Sequence, residues 1–389
     1  MTLSRIWVGC LTLIACLGFL TGCWDRTEMD DLALVMASGL DLSEDGRVEI
    51  TLQIALPTGI PSALQSGGKA AKPVLVVSAK GKDSIDALDR LQQQLSRRIN
   101  LGHRGIIVVG EKYARRGFDQ VLDTLLRSPE SRYNSYIVTA YGTTAKKILE
   151  APYLMEIIPS IGINKLQYSD FSLSVKTDKF IDALASFGKS PVTGAIKIMK
   201  QGAGQQTYII DKAAVYKRNK LVGFLSGKEL KAFRLVAGRS RDMKLTTQME
   251  PPKKEYKGTV TIRLLKATPK IRTEIKNGNP EVSVSLNALG SILSNDTSMD
   301  MSKVIPLVEK KFAADLQEEI TKTISHTQKK FKSDIFGFGN RIHIEHPYAW
   351  KKMKEDWDEL YPKASVQVKT VMVLERVGRT QAPAHQQKK

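Results

Sequence analysis

The chain has 389 residues, 42% of them hydrophobic, and a formal net charge of +19 from 59 Lys and Arg against 40 Asp and Glu. A single core stops growing near roughly 250–300 residues, so this length predicts two or three domains. All three cysteines, Cys10, Cys16 and Cys23, precede Trp24, which excludes disulfide staples, zinc–cysteine sites and a cysteine nucleophile from the body of the chain.

Arg5 is followed by an apolar run from Ile6 to Leu20 without an acidic residue. It is too short to span a bilayer, for which about 20 apolar residues are needed. A basic start, a short apolar stretch and small residues before a cut describe a secretory signal over residues 1–22. Its ending, Leu20-Thr21-Gly22-Cys23, is the pattern at which bacteria attach a diacylglyceryl thioether before cleavage. Cys23 is therefore expected to begin the mature chain and to carry S-diacylglycerol and N-palmitoyl groups. The expected product is a lipoprotein on the outer face of a membrane. In such a chain the basic excess, spread as pairs such as Arg97-Arg98 and Lys351-Lys352, reads as a solvated basic surface, with attraction to an anionic membrane surface, and not to nucleic acid, as the functional alternative. Only Trp24 to Asp31 separate Cys23 from the first apolar run, a reach under roughly 30 Å.

Residues 32–41 and 47–56 read as strands joined by a turn at Ser43-Glu44-Asp45-Gly46. Residues 57–73, rich in Gly, Pro, Ala and Ser, read as an exposed loop, and 73–80 as a third apolar run. Asp83 is placed to cap a helix with Ile85, Leu88, Leu91, Leu95 and Ile99 on one face. A buried strand is expected at 105–110, a helix at 117–126, a strand at 135–141 and a short helix at 143–150 that Pro152 ends. This alternation predicts an N-terminal α/β domain over residues 23–195. Residues 160–187 read as helical in parts. The Gly- and Lys-rich stretch 188–205 reads as a linker, Gly202-Ala203-Gly204 included, because that triplet lacks the rest of a phosphate loop.

A C-terminal α+β region is expected at 206–378, divided into subdomains at 206–250 and 251–378. It starts with a hairpin at 207–217 and 220–225 and a helix at 227–237. Three antiparallel strands, 257–267, 270–276 and 281–290, follow with one face covered. A long helix at 300–331 carries Ile305, Val308, Phe312, Leu316, Ile320 and Ile324 in one stripe. Pro347 starts another helix with Trp350, Trp357 and Leu360 on one face. A last strand is expected at 365–375 and a disordered tail at 379–389. The fold class is thus mixed α/β and α+β, in several domains.

Three stretches together resemble the Ger(x)C family, the lipoprotein C subunits of spore germinant receptors. The first is Gly22-Cys23-Trp24-Asp25-Arg26, running into Leu32-Ala33-Leu34-Val35 and Gly39-Leu40-Asp41. The second is Gly105-Ile106-Ile107-Val108-Val109-Gly110-Glu111, with Gly117 and Leu125-Leu126-Arg127-Ser128-Pro129-Glu130-Ser131-Arg132 beyond it. The third is Asp334-Ile335-Phe336-Gly337-Phe338-Gly339, then Pro347, Trp350-Lys351-Lys352, Trp357-Asp358-Glu359 and Tyr361-Pro362. The resemblance implies a three-part fold and a non-enzymatic subunit on the outer leaflet of the inner spore membrane. Its implied partners are an A-type membrane subunit and a transporter-like B-type membrane subunit. It implies no cofactor, and the one residue whose role carries over is Cys23, the lipid attachment site.

The residues offer little competing chemistry. His343-Ile344-Glu345-His346 lacks the i, i+4 histidine spacing of a helical zinc site, and lying between Gly339 and Pro347 it reads as extended, with the histidines on opposite faces. No Gly-x-Ser-x-Gly elbow is present. Asp30-Asp31 and Glu318-Glu319 read as solvated faces. Phe336-Gly337-Phe338-Gly339 reads as a rigid corner, with partner contact as the alternative, and Trp350 and Trp357 read as core. Beside the receptor subunit stands a second function, an extracytoplasmic solute-binding lipoprotein feeding a transporter.

Overall fold

The computed structural model describes residue 7 and residues 28–57, 72–118, 133–169, 172–240, 242–249, 257–297 and 301–376. The signal segment apart from residue 7, Cys23, nearly all of the 57–73 loop, the 117–126 helix beyond Phe118 and the tail lie outside them.

Strands β1 (Leu32–Leu42) and β2 (Val48–Ala55) form a hairpin whose turn passes through Gly46 at φ +77°. β3 (Val74–Gly81) pairs with the far edge of β2. Asp83 caps helix α1 (Ser84–Gln92), accepting the N–H groups of Ile85 and Asp86 at 2.9 Å each. The helix ends before Leu95 and Ile99, contrary to the five-residue stripe expected. The Gln92 side chain accepts from the Ile99 N–H at 2.9 Å and donates to the Arg97 carbonyl at 3.0 Å. That clamp turns the chain into β4 (Arg98–Asn100), parallel to the start of β1.

β5 (Ile106–Val109) and β6 (Tyr136–Ala140) are buried at every position, as strands covered on both faces must be. Helix α2 (Glu111–Arg116) follows β5 and ends where Gly117 takes φ +116°. α3 (Ala145–Glu150), capped by the Thr144 hydroxyl, α4 (Pro159–Leu166) and α5 (Thr177–Leu184) come next.

β7 (Val192–Lys200), β8 (Gln206–Lys217) and β9 (Lys220–Leu225) complete a mixed sheet in the order β3-β2-β1-β5-β6-β7-β8-β9, with β4 beside β1. The break expected between residues 195 and 206 falls inside this sheet. β7 and β8 pair antiparallel, and Gly202-Ala203-Gly204 is the turn of their hairpin, not a linker.

Helix α6 (Gly227–Val236) leads to a second sheet, β10 (Lys244–Met249), β11 (Gly258–Lys276), β12 (Asn279–Asn295) and β13 (Ser365–Arg376), in that order. The pairing of β10 with β11 crosses the expected division at 250/251. Two expected strands, 257–267 and 270–276, are the single strand β11. Pro269 does not break it because β10 pairs only with residues 258–263, so β11 is an edge strand at Pro269. The sheet is not wholly antiparallel either. β13 runs parallel to β12, since four helices carry the chain back between them.

Those helices are α7 (Met301–His326), α8 (Phe338–Glu345), α9 (Pro347–Met353) and α10 (Trp357–Leu360). Val308, Phe312, Leu316, Ile320 and Ile324 of α7 are buried in the core of the second sheet, as their spacing predicts. A π-helical turn at Thr327–Phe331 ends α7, and Lys332 closes it in the left-handed region at φ 48°.

Candidate functional site

The residues of the first and second sequence stretches meet at the ends of β1 and β5. Asp41, buried, accepts the N–H groups of Ala145 at 2.9 Å and Lys146 at 2.8 Å and so holds the start of α3. Burial raises its pKa, and those two bonds oppose the rise. A Cβ on Gly110 would collide with the Asp41 carboxylate, while the Gly110 N–H donates to the Leu40 carbonyl at 2.7 Å. A Cβ on Gly39 would stand 3.1 Å from that of Ala145. Glu111 accepts the Gly142 N–H at 3.1 Å and pairs with Arg115. These side chains fasten strand ends to helix starts. None is free to act on a ligand.

The third stretch forms the junction between the two sheets. Asp334 is 3% exposed. One carboxylate oxygen accepts the Gly337 N–H at 2.9 Å, and the other accepts the Gly339 N–H at 2.8 Å and the Trp357 indole N–H at 3.1 Å. Burial pushes the Asp334 carboxyl up to about 6 against the pull of these bonds. Gly337 holds φ +76°, which favours glycine. Phe336 and Phe338 stack at 5.3 Å, Phe336 against Phe233 and Phe338 near Tyr361. Three bonds tie this corner to the first sheet and its flank. The Ser190 N–H donates to the Asp334 carbonyl at 2.7 Å, the Asn340 N–H to the Gly188 carbonyl at 3.0 Å, and the Ser333 hydroxyl to the Tyr216 carbonyl at 2.6 Å. On the other side the Gln328 amide donates to the carbonyls of Tyr361 and Ala364, and Thr327 bonds the Tyr361 hydroxyl at 2.6 Å.

Two open grooves flank the junction. One of about 330 Å³ lies between the 183–190 segment and Arg218, Lys354 and Asp358. The other, of about 460 Å³, lies among Phe187, Asn340, His343, Trp350 and Lys351.

Comparison with known proteins places this arrangement. The family described as "Spore germination protein N-terminal domain" matches residues 25–198, and that described as "Spore germination B3/ GerAC like, C-terminal" matches residues 211–378. Spore germination protein KC of Bacillus subtilis (strain 168) is 30% identical over 390 residues, covering 95% of each chain. The chain belongs to the Ger(x)C family of spore germination proteins. Spore germination protein B3 of the same organism is 28% identical over 354 residues, covering 88% of this chain and 90% of that one. The crystal structure of the GerBC protein has a TM-score of 0.55 at 23% identity, over 87% of this chain and 96% of that chain, and so shares the fold.

In this Ger(x)C chain the histidine pair is not extended as expected. His343 and Glu345 lie on α8, and His346 is the residue between α8 and α9. Glu345 accepts the N–H and hydroxyl of Thr273 at 2.8 and 2.7 Å, and His346 donates to the Thr273 carbonyl at 2.7 Å. Burial pushes the Glu345 carboxyl up, but the Thr273 bonds and Arg341 outweigh it, and its pKa falls below the usual value. His343 stacks on Trp350 at 6.0 Å. These residues clamp α8 to β11. Trp350 and Trp357 are both buried and meet edge-on at 5.5 Å, but from two helices and not from one face of a single helix. Asp30 and Asp31 lie in an exposed turn, and Glu318 and Glu319 line an open groove of about 510 Å³ beside α6. Among the described residues no three His, Cys, Asp or Glu are grouped to hold a metal. Spacing alone signalled the glycine corner. Gly188 gives no signal in the sequence because Gly339 and Asn340, which it meets, are distant in the chain, and the role of Asp334 follows from the turn that brings the Gly337 and Gly339 N–H groups and the Trp357 indole to its carboxylate.

Proposed function

We propose that this Ger(x)C chain is a lipid-anchored, non-enzymatic subunit of a membrane nutrient receptor required for spore germination. The observation that carries the reading is the relation to spore germination protein KC over 95% of both chains. The residues of the three resembling stretches support it, since Asp41, Gly110, Asp334 and Trp357 all hold elements together and present no reacting group to a cleft.

In this reading Cys23 carries the S-diacylglycerol and N-palmitoyl groups, residues 1–22 are removed, and the chain sits on the outer leaflet of the inner spore membrane. Its partners are the A-type and B-type membrane subunits and the anionic membrane surface. The two sheets are read as two folding units that meet at the Asp334 corner. Co-purification from spore membranes tests the assembly. A- and B-type subunits should come down with the tagged chain, and their absence after mild solubilisation contradicts it. Solute capture for a transporter is the competing outcome, and tight, stoichiometric nutrient binding by the chain alone supports that instead.

A further inference from the structure

We infer that the segment joining α3 to α4 is a second membrane contact, an apolar loop that enters the bilayer interface beside the lipid anchor. The inference rests on the anchoring of Cys23 read above.

Leu154, Met155 and Ile157 are 73%, 78% and 53% exposed, within a few residues of one another. A soluble monomer rarely leaves such side chains together in water without a use for them. The loop is not frayed. The Tyr153 ring packs on Tyr208 at 5.0 Å, and Pro159 starts α4. The Ser160 N–H donates to the buried Gln53 side chain at 3.1 Å. The one charge between the apolar residues, Glu156, is drawn to Lys165 at 2.6 Å. A fixed frame thus holds three apolar side chains outward.

Strand register places this loop at the end of the molecule where the anchored chain enters. β1, β5 and β6 run parallel and start at that end. β2 finishes there and β3 begins there, with Val35 opposite Ile54 and Ile54 opposite Leu75. Val74, Leu75 and Val76 share a groove of about 540 Å³ with Tyr153, Leu154 and Ile157. Tyr168, also 73% exposed, sits edge-on to Tyr136, the first residue of β6, at 5.7 Å. Glu28 stands only five residues after Cys23, at most about 18 Å of extended chain. The anchor and the apolar loop therefore reach the same surface.

The chemistry fits a bilayer interface. Leu, Met and Ile suit the acyl boundary and Tyr the headgroup level, where its ring and hydroxyl meet different media. Lys72 lines the same groove and can meet a lipid phosphate. A lipidated terminus holds one point, and a second contact beside it fixes how the body stands on the membrane.

The test uses the intact lipidated chain in vesicles of equimolar phosphatidylglycerol and phosphatidylethanolamine. Met155→Cys carries an environment-sensitive fluorophore, and Tyr348→Cys, at a residue 88% exposed on α9, serves as control. Nitroxide-bearing lipids should quench the 155 label at least threefold more than the 348 label, and aqueous iodide should quench it less. Leu154→Glu with Ile157→Glu should remove the difference. Equal quenching of both labels on chains that float with the vesicles overturns the loop contact and leaves the anchor standing. Shielding from iodide without quenching by lipid means that protein covers the loop, and it also overturns the proposal. Chains that do not float overturn the anchor, and the loop contact with it.

Discussion

Gly188 and Gly339 meet backbone to backbone at the junction of the two sheets. A Cβ on Gly339 would stand 2.6 Å from the Gly188 Cα and 2.7 Å from the Trp357 indole nitrogen. Each glycine is thus required by a residue far away in sequence, and the contact sets the distance between the 188–190 segment and the Asp334 corner. Gly188→Ala or Gly339→Ala should destabilise the chain by about 2–4 kcal/mol, because backbone on the far side cannot move aside cheaply. Gly337→Val should add strain of about 1–2 kcal/mol from its positive φ. Urea unfolding of the mature chain reads these effects, and unchanged midpoints would show that the corner is not structural. Normal folding with lost germination would instead make Phe336 and Phe338 partner contacts.

The buried carboxyl at the same corner gives stability a pH dependence of defined sign. Asp334 titrates near 6 in the folded chain against an ordinary value of 3.8. Between those values the folded chain keeps a proton that the unfolded chain has lost. Its contribution is therefore complete below about pH 4 and lost as pH rises through 6, a change of about 3 kcal/mol. Unfolding followed from pH 4 to 7 should show that decline, and Asp334→Asn should remove the slope whatever it does to absolute stability. A variant with the same slope as the parent chain would assign the effect to other groups.

Loss of the thioether should release the protein. Cys23→Ala is expected to leave the chain unprocessed or free of the membrane, since each buried methylene of a lipid chain supplies about 0.8 kcal/mol. Membrane fractionation measures this. Undiminished processing and retention would contradict lipidation at Cys23.

The charge excess should act at the membrane surface. Residues 24–389, made without the lipid, should bind anionic vesicles weakly and lose that binding as salt is raised, because exposed charges are screened over about 8–10 Å. Binding that is indifferent to salt would show that the excess of Lys and Arg is only a solvated surface.

The sequence made the elements far more legible than their assembly. β1, β2, β5 and the stripe of α7 follow from local periodicity, and the structure has them within a residue or two. What periodicity does not report are side-chain clamps, the reach of a neighbouring strand and close backbone approaches. The stripe drawn through Leu95 and Ile99 ignored the Gln92 clamp. Pro269 looked like a strand break because nothing local tells that β10 stops short of it. The stretch 188–205 looked like a linker because its glycines serve a close approach and a hairpin turn, with β7 between them. His343 to His346 reads as extended between Gly339 and Pro347, although a helix starts at Phe338 behind Gly337 and carries Gly339 within its first turn. At the candidate site, Gly337 and Phe338 were visible as a motif. Asp334 acquired meaning only when Gly339 and Trp357 were seen to donate to one oxygen.

The central claim is that the chain completes one nutrient receptor and does no chemistry of its own. Germination of spores that lack this chain tests it most directly, scored by loss of optical density against separate nutrient classes. The account predicts loss of the response to one class, responses to the others intact, and recovery when the full chain is restored but not when it carries Cys23→Ala. Normal germination with every nutrient would contradict it.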